Sequence, residues 1–158
     1  MNADNRKQLF REMEILHEKY VMSQNRESDF FEPVMLEYLD KFEGYYNEQN
    51  GIMTLRFDSR GTRYNGRTEH IEYVNSGEKV RAVREKDNPF NSNNFMLLTE
   101  NGINIGNMPA ELCNVIAPLY DNGELEIMHT EVSFVDPISK RSRYAKQAIL
   151  FVEMKIRV

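Results

Sequence analysis

The sequence predicts an α+β chain: a helical hairpin over residues 1–50, then a small, partly closed β-barrel or curled sheet with one helix over residues 51–158. Three observations predict it. Apolar residues up to Tyr45 recur at three- and four-residue steps, the period of a helix. From Asn50-Gly51 onward they alternate with polar ones, the period of a half-buried strand. One longer apolar stripe, opened by Pro109, interrupts that alternation.

The first helix spans 5–22, with Leu9, Phe10, Met13, Leu16 and Tyr20 on one face. A polar stretch from Ser23 to Asp29 ends it. Ser28 or Asp29 then caps a second helix running to about Tyr46, and Pro33 falls in its first turn, where the missing N–H costs nothing. Its stripe of Phe31, Met35, Tyr38, Phe42 and Tyr45 suits either a core or a dimer interface, so residues 5–46 offer a dimerisation or docking segment. Strands follow at Gly51–Phe57 and Lys79–Arg84. A hairpin over Phe95–Leu98 and Ile103–Ile105 turns at Asn101-Gly102. The helix from Pro109 buries Leu112, Val115, Ile116 and Leu119 and stops at Asn122-Gly123. Two long strands, about Leu125–Val135 and Ala145–Ile156, close the chain around a basic link, Pro137 to Arg143.

At 41% hydrophobic and 28% charged the chain is expected to fold and to be soluble, and no apolar run reaches the length of a membrane span. The N-terminus has no apolar run after Arg6-Lys7, which argues against a signal peptide. The single Cys113 rules out an internal disulfide and fits a cytoplasmic location. Residues 1–50 carry 6 Lys+Arg against 11 Asp+Glu and residues 51–158 carry 14 of each, so the net charge of −5 belongs to the N-terminal third. Within the neutral part, Arg56, Arg60, Arg63 and Arg67 face only Asp58 in sequence, which predicts a positive local field or else a scatter of surface arginines. His17, His70 and His129 have no ligand spacing and no cysteine pair exists, so neither a metal nor another cofactor is expected. No glycine-rich phosphate loop and no nucleophile–base pair appears, and the chain is expected not to be an enzyme, with no catalytic residue to name.

The richest stretch is Arg84 to Phe95. Pro89 pushes Asn88 out of the helical region, and Asn91, Asn93 and Asn94 can fold back onto the backbone. Phe90 sits among them with no local reason to be apolar. It either plugs the loop or stands out as a recognition surface.

Residues 61–125 or so resemble the HIRAN domain, a β-rich module named from DNA-repair helicases. The resemblance rests on Gly61-Thr62-Arg63-Tyr64, Arg84-Glu85, Asn88-Pro89-Phe90-Asn91 with Asn94-Phe95, Gly102-Ile103-Asn104-Ile105-Gly106, and a helix from Pro109 to Tyr120 closing on Asp121-Asn122-Gly123. Each fragment alone is common; the order and spacing of all five are specific. The resemblance implies an OB-like barrel that grips the 3′-end of single-stranded DNA. By position it implies that Phe90 stacks on a base, Asn91 faces the terminal hydroxyl, and Arg63 and Tyr64 serve phosphate and base. Two departures stand out. Asn91 replaces the family's acid, and Pro109-Ala110-Glu111 lacks the basic residues that some members place there.

Two functional readings follow. The first is a non-enzymatic module for single-stranded DNA or DNA 3′-ends in DNA repair or processing. It uses Arg63, Tyr64, Phe90, Asn91 and Asn88, with Arg60, Arg67, Lys140, Arg141 and Arg143 on the backbone. The alternative is a protein-interaction or scaffold module in which the acidic hairpin docks a partner or a second copy, without DNA.

Overall fold

Strict alternation in the first long strand puts Met53, Leu55 and Phe57 on one face, and all three are buried. The computed structural model describes residues 46–47 and 50–157 and contains seven strands and two α-helices within them. Strands β1 (Tyr46–Asn47), β2 (Ile52–Asp58), β6 (Glu126–Asp136) and β7 (Ile149–Arg157) form one antiparallel sheet in the order β1-β2-β7-β6. Strands β3 (Val80–Glu85), β4 (Asn94–Thr99) and β5 (Asn104–Asn107) form a second antiparallel sheet.

The sheets join at both edges. Arg60 and Asn107 exchange backbone hydrogen bonds of 2.8 and 2.9 Å, which ties the end of β2 to β5. At the other seam, Lys79 bridges Glu131, Gly77 N–H donates to Val132 O, and Val132 N–H donates to Glu78 O. Six strands therefore run round one core, closed by single bridges at two seams. That arrangement, two small sheets with few helices, is the α+β architecture expected from the alternation.

Helix α1 (Arg67–Ile71) and helix α2 (Ala110–Asp121) complete the described fold. The expected face of α2, Leu112, Val115, Ile116 and Leu119, is buried. Gly123 adopts φ 75° and ends α2: its N–H donates to Tyr120 O, and Glu124 N–H donates to Leu119 O, the paired bonds of a glycine-terminated helix. The 94–107 hairpin turns as predicted, with Gly102 N–H donating to Thr99 O.

The structure corrects three expectations. Tyr46–Asn47 is extended and pairs with β2, so the second helix cannot reach Tyr46; the rest of the predicted hairpin lies outside the described residues. The last strand starts at Ile149 rather than Ala145, because side chains take the place of the ladder there. Thr62 Oγ1 donates to Ala148 O and Ala148 N–H donates to Thr68 Oγ1. Helix α1 was not foreseen; it follows a left-handed pair, Asn65 and Gly66, and five residues are too few to show a period.

Candidate nucleic-acid interface

Asn-Pro dictates a turn after β3, and the amides around it make the turn rigid. Asn88 Oδ1 accepts from the N–H groups of Phe90 and Asn91 at 2.9 and 3.0 Å, while its Nδ2 donates to Glu85. Asn91 Oδ1 accepts from Asn93 N–H at 3.0 Å. The Nδ2 groups of Asn91 and Asn93 both donate to Asn114 Oδ1 on α2, at 3.2 and 3.3 Å. Asn94 Nδ2 donates to Glu85 Oε1 at 2.7 Å and to Asn107 Oδ1 at 3.0 Å.

Arg84 braces the loop from beneath. Its guanidinium donates to Ser92 O at 2.6 Å and to both carboxylate oxygens of Asp121, and it lies over the Phe95 ring, which meets Tyr120 edge-on. Hydrogen bonds from Arg84, with its positive charge and that of Lys86, hold the Asp121 carboxyl below its ordinary value. Phe90 is left 95% exposed at the tip, so it is not a plug.

The second arm is the Gly61–Tyr64 turn. Tyr64 N–H donates back to Gly61 O, and Gly61 takes φ 72°. Arg63 is exposed, and its guanidinium lies 5.3 Å from the centre of the Tyr64 ring, itself 58% exposed. Arg67, expected at the surface, does not lie there. It is buried, and it donates to Gly61 O and to Asn104 Oδ1, holding the turn against β5. Burial lowers its pKa, partly offset by the charge of Glu85. The positive φ of Gly61 favours glycine, and a Cβ there would sit 2.9 Å from the Arg67 guanidinium, which would have to shift.

The expected positive field is weaker than the sequence suggests. Arg56 pairs with Glu153 and Arg60 with Asp58, leaving Arg63 as the one of the four that is exposed and without an acidic partner among the described residues. Arg141, expected at the surface, is also largely covered: its side chain is 9% exposed and bonds Asp136. Burial lowers the Arg141 pKa and raises that of Asp136. Lys140 and Arg143 are exposed, and Arg143 lies over the ring of Tyr144, an exposed aromatic that sequence reasoning passed over.

Tethers bring the three segments toward one another. The Thr62 and Thr68 hydroxyls bond Ala148, and Ser139 N–H donates to Glu72, so the 137–148 link lies along α1. Asn107 joins Arg60 through its backbone and Asn94 through its side chain, linking the Gly61 turn to the Asn-Pro loop. Asn114, Asn107 and Asn104 were missed as structural partners; their spacing on β5 and α2 gives no local signal. No cluster of metal-ligating side chains occurs among the described residues.

A family model for the HIRAN domain matches residues 52–151. No curated protein matches the chain. Among solved structures, the crystal structure of the HIRAN domain of human HLTF is 24% identical, covering 69% of this chain and 83% of that one, with a TM-score of 0.47. A protein from Lactobacillus plantarum is 17% identical over 66% of this chain and 98% of that one, with a TM-score of 0.49. The NMR structure of the HLTF HIRAN domain in its DNA-bound conformation is 24% identical over 65% of this chain and 73% of that one, with a TM-score of 0.44. The family match spans well over half of the sequence, and the chain belongs to the HIRAN domain family.

Proposed function

We propose that this member of the HIRAN domain family is a non-enzymatic DNA-binding module that takes single-stranded DNA or a DNA 3′-end, in repair or processing of DNA. Family membership supplies the ligand class, and the exposed ring of Phe90 carries the reading. A phenylalanine that adds nothing to the core, held at the tip of a loop whose amides are bonded, is suited to stack on a base. Such stacking contributes roughly 1–3 kcal/mol per base and tolerates any sequence. Arg63 and Tyr64 supply a guanidinium for phosphate and a second π-face. Lys140, Arg143 and Tyr144 extend the exposed basic and aromatic surface along the 137–148 link.

The test is a titration with labelled oligonucleotides at several salt concentrations, comparing single strands that end in a 3′-hydroxyl or a 3′-phosphate with blunt duplex. Single strands should bind more tightly than duplex, and affinity should fall with salt. No binding of any single strand at low salt would overturn the reading.

A further inference from the structure

The amide network at the Asn-Pro loop has a direction, fixed by one backbone group. Asn93 N–H can only donate, so the atom of Asn91 that receives it is Oδ1. The other end of Asn91 is therefore Nδ2, a donor, and the atom it meets on Asn114 must be Oδ1. The amide of Asn93 meets the same oxygen. The Asn114 side chain is thus held by two donors on its oxygen, and its own Nδ2 has no acceptor among the described residues. Asn114 is exposed on the second turn of α2, beside the loop that carries Phe90.

We propose that Asn114 is a nucleic-acid contact residue whose oriented Nδ2 donates to a phosphodiester oxygen of a single strand stacked on Phe90. The proposal rests on the DNA reading and adds a residue that neither the sequence motifs nor the family match assigns. A donor that cannot accept suits an oxygen-rich anion and not a metal ion. Two bonds on its oxygen fix the rotamer beforehand, so little side-chain freedom is lost on binding. The contact offers a neutral donor beside a helix start, Pro109-Ala110-Glu111, that has no lysine or arginine. Because the donor carries no charge, the contact releases no counterion and is silent in the salt dependence.

The experiment uses the full chain and single-stranded oligonucleotides, each with one neutral methylphosphonate linkage near the 3′-end. Asn114→Ala should bind the unmodified strand roughly tenfold more weakly, the size of one hydrogen bond to a charged group, with an unchanged salt slope. Methylphosphonate at one particular linkage should weaken the native protein and leave Asn114→Ala unaffected. Asn114→Asp provides an independent arm. Its carboxylate still accepts from Asn91 and Asn93, so amide-exchange protection of the loop should stay native, while affinity falls further than in Asn114→Ala. Native binding that responds to every linkage as Asn114→Ala does, or an Asn114→Asp variant that binds like the native protein, would overturn the proposal and leave the DNA reading standing. No native binding to the unmodified strand would remove both.

Discussion

An aromatic side chain that is 95% exposed adds nothing to the core, so its replacement should separate binding from folding. Phe90→Ala should leave stability within about 0.5 kcal/mol of the native value. It should weaken single-strand binding by roughly 1–3 kcal/mol with an unchanged salt slope, since stacking releases no counterion. Arg63→Ala should do the reverse in one respect: the slope should fall by about one unit, as expected for one lost phosphate contact. Titrations of both variants at four salt concentrations check the division, and equal slopes would undo it. Asn91 is more constrained than its position in the motif implies, because both ends of its amide are engaged. Asn91→Asp puts an acceptor where Asn114 now receives a donor. Asn114 must then turn its amide inward toward the carboxylate, since a charge-assisted bond outweighs the neutral one from Asn93. The outward donor is lost and a negative charge gained. The ratio of dissociation constants for 3′-phosphate and 3′-hydroxyl strands should therefore rise in Asn91→Asp, and a ratio that does not move would detach Asn91 from the strand end.

Between the loop and α2, the Arg84–Asp121 pair acts as a clamp, and its behaviour with pH can be signed. Asp121 has a folded pKa below its unfolded one, so its contribution is fully present above the unfolded value, near 4, and is lost as pH falls through the folded value. Asp136 works against it: burial raises its folded pKa, so its ionisation as pH rises opposes folding. A global acid melt mixes the two, whereas the loop is braced by Asp121, through Arg84, and not by Asp136. Exchange protection at Asn94 N–H, which is bonded to Asn91 O, should drop below about pH 4 in the native protein. The drop should be smaller in Asp121→Asn, and an unchanged drop would detach the loop from the Arg84–Asp121 pair. At this scale the sequence was informative where a period could be counted. The alternation of β2 and β3, the Asn101-Gly102 turn and the apolar face of α2 were all legible. Helix α1 was not, because it has five residues, and the start of β7 was not, because two threonine hydroxyls from far away in sequence replace its first ladder partners. The motif residues of the candidate site were legible, but their partners were not. Arg67 and Arg141 read as surface cations until their half-buried acceptors, Asn104 and Asp136, come into view. Likewise, nothing local links Asn91 to Asn114.

The molecule as a whole depends on two thin seams, and the seam at Arg60–Asn107 also carries both arms of the candidate site. Gly106 makes that seam close. It takes φ 128°, a conformation that other residues rarely adopt, and a Cβ there would overlap Ser59 Oγ and sit 2.8 Å from Arg60 O. Ser59 Oγ is itself engaged with Ile105 O at 2.7 Å, so it cannot move aside without breaking the same junction. Gly102 is the internal control. It also has a positive φ, 81°, but nothing lies within 4 Å of the position its Cβ would take. Gly102→Ala should therefore cost only the left-handed backbone penalty, about 1–2 kcal/mol. Gly106→Ala adds to that penalty a clash that only separation of β2 from β5 can relieve, and should cost more than about 3 kcal/mol. Urea unfolding of the two variants compares the costs. Because Asn107 ties Arg60 to Asn94, a Gly106→Ala protein that still folds should also lose single-strand affinity, whereas Gly102→Ala should keep it. Equal destabilisation by the two substitutions would mean that the seam yields freely and that the ring of strands does not depend on its closure there.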